Sequence, residues 1–139
     1  MLNYLGISDN GRFLFPREWG REKFFVSMQR ERFEGIGGDL ATSVLFDQNF
    51  VQDKLSITLG ASHVHTPDLE NVLLNKYGLP SYYHFTELMD YKFGGFFKGL
   101  NLQVLIAAKN EDFTQKIPKK YVINRVNMTN YKLILDYRF

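Results

Sequence analysis

The chain carries a period-two pattern of apolar and polar positions. From Leu55 to Ser62, Leu55, Ile57, Leu59 and Ala61 take the odd positions and Ser56, Thr58, Gly60 and Ser62 the even ones, as in a strand with one apolar face. The run Leu100 to Ala108 repeats this, with Leu100, Leu102, Val104, Ile106 and Ala108 against Asn101 and Gln103. At the C-terminus, Tyr131, Leu133, Leu135, Tyr137 and Phe139 alternate with Lys132, Ile134, Asp136 and Arg138. Two noisier runs, Leu40 to Phe50 and Tyr82 to Phe93, complete five strands. The second sets Tyr83, Phe85, Met89, Tyr91 and Phe93 against His84, Thr86, Asp90 and Lys92. A sixth strand is expected among Lys23 to Arg32.

The connections alternate in length: short around Asp47 to Asp53, long from Thr66 to Pro80, short from Gly94 to Gly99, long from Asn110 to Met128. In an antiparallel meander this gathers the tight turns at one end and the long loops at the other, as in transmembrane β-barrels. Each strand also has the ~9–11 residues that cross a bilayer at a tilt. A soluble sandwich alternates too, but Tyr91, Phe93, Phe96, Phe97, Tyr137 and Phe139 fall at the tight-turn end. Rings are most stable at that level of a membrane, with one edge apolar and the other wet. Within the loop Thr66 to Pro80, Leu69, Val72, Leu73 and Tyr77 are spaced as on a short helix over Asp68 to Tyr77. The expected fold is all-β, an antiparallel up-and-down meander forming an incomplete transmembrane barrel of five to six strands. Residues 1–35 are expected to be mainly outer loop and residues 36–139 the strand meander.

Composition narrows the function classes. The 139 residues include no cysteine and no apolar run of the length of a membrane helix, which excludes a disulfide-stapled module, thiolate metal sites and helical membrane spans. Seventeen Lys and Arg against fifteen Asp and Glu leave a net charge of +2, and nothing in that balance points to nucleic acid. Charged residues Asp9, Arg12, Arg17 and Glu18 interrupt the first twenty positions where a secretory signal needs an apolar stretch, so no signal peptide is read there. There is no nucleophile elbow, Gly-rich phosphate loop or His-Glu-x-x-His helix, and the chain is expected not to be an enzyme and to need no cofactor or metal. The pairs Gly37–Gly38 and Gly94–Gly95 read as turns.

Several stretches resemble the OprD-like outer-membrane porins: Gly11 to Glu22 (GRFLFPREWGRE), Arg30 to Gly35 (RERFEG), Leu74 to Tyr83 (LNKYGLPSYY) and Phe96 to Leu100 (FFKGL), closed by a terminal strand ending in Tyr137 and Phe139. Together they cover nearly the whole chain. Porins of this family have some eighteen strands, so the chain resembles their C-terminal part. The resemblance implies a Gram-negative outer membrane and a water-filled channel for passive diffusion of small hydrophilic solutes, in some members basic amino acids, peptides or carbohydrates. The implied partners are outer-membrane lipid, the solutes and the β-barrel assembly machinery, to which Tyr137 and Phe139 would be the assembly signal. Oligomeric state is left open. A truncated gene product without activity of its own and a soluble β-sheet binding module are the alternative readings.

If the apolar faces meet lipid, the opposite faces line the pore, with Asp90, Lys92, Asn101, Gln103, Lys109, Lys132, Asp136 and Arg138 among the lining residues and Ser56, Thr58, Ser62 and Thr86 beside them. On the last three strands this sets four basic groups against two acidic ones, a positive bias. Arg17, Glu18, Arg21, Glu22, Arg30 and Arg32 are the candidates for a charged outer loop folded into the pore as a constriction. The plainer alternative for them is a salt-bridged surface loop, each exposed pair contributing ~0–1 kcal/mol. His63 and His65 share a strand face but lack a third ligand at a defined spacing, and read as solvated residues at the mouth. Glu87 falls in phase with the apolar face, which requires a bulge, a phase slip or a neighbouring subunit.

Overall fold

The computed structural model describes residues 1–14, 24, 26, 28, 31, 33–112 and 126–138. The described residues form one six-stranded open sheet in sequential order, β1 Leu2–Gly6, β2 Leu40–Phe50, β3 Leu55–His65, β4 Tyr82–Lys92, β5 Leu100–Glu111 and β6 Met128–Tyr137. All neighbours are antiparallel. The all-β up-and-down meander expected from the alternation is present. The sixth strand, however, is Leu2–Gly6, and the described residues between Lys23 and Arg32 lie outside strands. The expected helix over Asp68–Tyr77 is likewise absent. Asp68 Oδ1 accepts from the Glu70 N–H at 2.8 Å and Asn71 Oδ1 from the Leu74 N–H at 3.2 Å. Side chains that capture backbone donors in this way favour successive turns over a helical ladder.

Lengths alternate as the pattern predicts. Residues 51–54 and 93–99 make the short connections, at the same end as the end of β6, where the Arg138 N–H donates to Gly99 O at 2.9 Å. Residues 7–39, 66–81 and 112–127 connect the strands at the other end. In the first short turn Val51, Gln52 and Asp53 all have positive φ, 54°, 53° and 63°, a left-handed run disfavoured for a β-branched side chain. The second turn contains a 3-10 turn, Gly95–Phe97. There Phe93 and Phe96 pack against Phe97 at ring separations of 6.3 and 5.2 Å, and Tyr91 against Phe93 at 4.8 Å.

The two faces of the sheet differ sharply. One carries Leu2, Tyr4, Val44, Phe46, Leu59, Phe85, Tyr131, Leu133, Leu135 and Tyr137, all exposed, with Tyr131 75% and Leu133 72% accessible. Glu87 stands on this face, opposite Leu59 on one side and Ile106 on the other, in a register that runs unbroken through it. No bulge or phase slip turns it away. The other face is covered, toward its long-loop end, by Phe24, Val26, Met28, Glu31 and Phe33 of the first loop. Val26 and Phe33 pack with Ala41, Val64, Tyr82 and Val126 into the buried core. Most soluble sheets bury their apolar face and wet the polar one; here the buried core is small and the large apolar face is bare.

Candidate functional site: the loop-covered face

Pairing register fixes which residues share the loop-covered face. One row across the sheet reads Asn3, Ser43, Ser62, His84 and Lys109, with the Asn3 amide donating to Ser43 Oγ at 3.3 Å. Two positions toward the long loops, Ala41, Val64, Tyr82 and Glu111 make the next row. Toward the short turns the face carries Asp47 and Thr58, then Ser56, Asp90 and Gln103, then Lys92, Asn101 and Asp136.

Glu31 lies over Tyr82 and His84. Its Oε1 accepts from the Tyr82 hydroxyl at 3.2 Å and from His84 Nδ1 at 3.3 Å, and its Oε2 accepts from the Met28 N–H at 2.9 Å. The side chains of Glu31 and His84 are fully buried. Burial alone raises the Glu31 pKa, but the hydrogen bonds from His84 and Met28, with the nearby Lys109 ammonium, outweigh it and hold the carboxyl below its usual range. Lys109 Nζ sits 4.7 Å over the Tyr82 ring, a cation–π contact. Asp39, wholly buried, has no hydrogen-bond partner for either carboxylate oxygen among the described residues. Desolvation first, and the charge of Glu31 second, push its pKa up to about 7.

A glycine seats the loop beside this cluster. A β-carbon at Gly60 would fall 2.6 Å from Met28 Sδ and 2.6 Å from Thr86 Oγ1, so only a residue without a side chain lets Met28 approach the sheet there.

Nearer the short turns the face mixes polar groups with Leu88, Leu105 and Ile134, Leu105 being buried. Asp90 accepts from Gln103 Nε2 at 3.2 Å, and the Asn101 amide, oriented to satisfy its neighbours, donates to Asp90 Oδ1 and Tyr91 O, each at 2.9 Å. The Thr58 hydroxyl donates to Asp47 Oδ1 at 2.7 Å, and Arg138 Nε to Asp136 Oδ2 at 3.1 Å.

Register thus puts Asp90, Lys92, Asn101, Gln103, Lys109, Lys132 and Asp136 on one face, with Arg138 just past β6 bonded to Asp136. The expected charge balance changes in three respects. Lys109 is turned toward the Glu31 cluster, β5 runs on to Glu111, and β2 contributes Asp47. On the last three strands Glu111 brings the acidic groups to three against the four basic ones, and on the uncovered part Lys92, Lys132 and Arg138 stand with Asp47, Asp90 and Asp136. Of the proposed constriction residues, Arg17, Glu18, Arg21, Glu22, Arg30 and Arg32 lie outside the described residues, as does Phe139; Tyr137 stands on the apolar face, half exposed.

His63 and His65 occupy the rim of the apolar face. His63 Nε2 is 3.0 Å from Asp112 Oδ2, and its ring stacks on Tyr83 at 4.6 Å; His65 Nδ1 lies 3.4 Å from Ser81 Oγ. Among the described residues no three His, Cys, Asp or Glu gather as a metal would require.

Reading the sequence alone missed Glu31, Asp39 and Gly60. Glu31 stood among charged neighbours without distinction, because its partners are 51 and 53 positions away. A glycine in the middle of an otherwise regular strand was the available signal for Gly60. Compared with protein-family models, with curated proteins and with solved structures, the chain matches none.

Proposed function

We propose that this sheet is part of the wall of an outer-membrane β-barrel, its apolar face against lipid and its loop-covered face along a water-filled path for small hydrophilic solutes. The observation that carries this reading is the inversion of the two faces: large exposed aliphatic and aromatic side chains on one, and buried or paired polar groups with a loop on the other. Strand length agrees. Eleven residues, as in β2, β3 and β4, at ~3.3 Å each and tilted by ~45°, rise ~26 Å, close to the ~25 Å apolar band of such barrels. The rings of Tyr91, Phe93, Phe97 and Tyr137 at the short-turn end suit an interfacial girdle. Six strands fall short of the ~8 that close the smallest barrels, so further strands, from the same or another chain, complete the wall.

Along this wall Asp90, Gln103, Asn101, Thr58 and Asp47 offer solutes hydrogen bonds in place of water, and the Met28–Glu31 loop narrows the far half. Outer-membrane localisation, lipid contact, handling by the barrel assembly machinery and the absence of catalysis follow from this reading. The test uses the lack of native cysteine. Spin labels are placed singly at positions 131 to 136 of the chain in lipid vesicles, and their collision rates with oxygen and with a water-soluble nickel chelate are compared. Oxygen contact should peak at 131, 133 and 135 and nickel contact at 132, 134 and 136. Equal access of nickel to both sets would overturn the membrane reading in favour of a soluble sheet.

A further inference from the structure

We propose that the loop carrying Met28, Glu31 and Phe33 is a pH-operated latch, held on the sheet by the Glu31 carboxylate and released in acid while the sheet stays intact. The geometry has the form of a catch. Glu31 reaches from this loop to the strands, and its oxygens receive three donors, two from β4 and one from the loop's own Met28 N–H. His84 donates from Nδ1, while its Nε2 has no partner among the described residues, so the Nδ1–H tautomer is the one its surroundings satisfy. Protonating Glu31 removes the charge that these donors converge on and leaves buried polar groups poorly paired, which weakens the closed state.

The other titratable groups facing Glu31 among the described residues set the direction. Tyr82 and His84 donate hydrogen bonds to the carboxylate, and Lys109 supports its charge from β5. Asp39 opposes it: the closer Asp39 is to full ionisation, the more it repels Glu31 across the same dry interior. The closed latch is therefore weakened at both ends of the scale, sharply in acid through Glu31 and more gradually toward pH 7 and above through Asp39. What this does to solute passage rests on the barrel reading; the release of the loop from the sheet does not.

Phe33, fully buried, reports the state of the latch. The full chain is prepared with 4-fluorophenylalanine at position 33, in detergent micelles or lipid vesicles, and the fluorine relaxation caused by a soluble gadolinium chelate is followed against pH. Protection should be lost below the ordinary carboxylate range in the native chain and already be lost at neutral pH in Glu31→Gln, whose neutral amide offers one acceptor oxygen to the three converging donors. Tyr82→Phe, which removes one donor and keeps the ring, should move the midpoint upward by about one pH unit. Circular dichroism over the same range should retain the strand signal. Persistent protection in Glu31→Gln and in acid, an unmoved midpoint in Tyr82→Phe, or loss of strand signal together with protection would each overturn the latch. None of these readouts depends on whether labels on β6 meet lipid, so failure of the latch and failure of the barrel reading are separable.

Discussion

Met28 and Gly60 meet where a loop crosses the sheet, and the meeting leaves no room for a β-carbon on the glycine. Gly60→Ala should therefore lower stability by about 1–3 kcal/mol through overpacking, read as the urea midpoint of the chain in micelles. Combined with Met28→Ala, the same substitution should cost at least ~0.5 kcal/mol less. Additive effects would mean that the glycine is needed for something other than the seat.

Val51 offers the opposite opportunity. Its φ of 54° places a β-branched residue in the left-handed region, at a cost of about 1–2 kcal/mol. Glycine there gives up ~0.5–1 kcal/mol in chain entropy. Val51→Gly should raise stability by about 0.5–1 kcal/mol, and a fall in the denaturation midpoint would show that the turn is not strained in the folded protein.

Asp39 makes stability depend on pH with a definite sign. Its pKa is about 7 in the folded chain and 3.8 as the ordinary value, so the stability linked to its proton is complete below about pH 4 and is lost as pH rises through 7. Glu31, held low, contributes stability above its ordinary 4.5 that is lost as pH falls through its folded pKa. Asp39→Asn should remove a decline on the order of 2–4 kcal/mol between pH 4.5 and 8, measured as denaturation midpoints at each pH. A decline that survives the substitution would assign it to another group.

For the proposed barrel, ion selectivity follows from the balance on the uncovered part of the loop-covered face. With Arg138 engaged by Asp136, Lys92 and Lys132 stand against Asp47 and Asp90. In a complete barrel, Lys92→Glu with Lys132→Glu should shift single-channel reversal potentials toward cations, most at ~10 mM salt, where screening reaches only beyond ~30 Å. An unchanged potential there would place these residues off the conduction path.

The strands were legible where alternation was strict. Leu55–Ser62, Leu100–Ala108 and Tyr131–Tyr137 each repeat a two-residue unit for long enough to exclude a helix, and the phase alone separated Lys132 from Leu133. The strand Leu2–Gly6 was not legible, since five residues hold too few repeats to stand out from a loop. The helical spacing of Leu69, Val72, Leu73 and Tyr77 misled because Asp68 and Asn71, which redirect the backbone, carry no weight in an apolar pattern. Phase assigns side chains to a face but is silent on which loop lies over that face. The contact of Glu31 with Tyr82 and His84 is a long-range pairing of that kind, and it alone turns an ordinary charged residue into the centre of the site.

Strand direction imposes a rule of parity. β1 runs from the short-turn end toward the long loops and β6 runs back, so the two free edges point oppositely. Any wall that joins them with antiparallel pairing throughout must insert an even number of strands, or none where copies of the sheet meet edge to edge. An odd insertion would force one parallel seam and strand a short connection among the long ones.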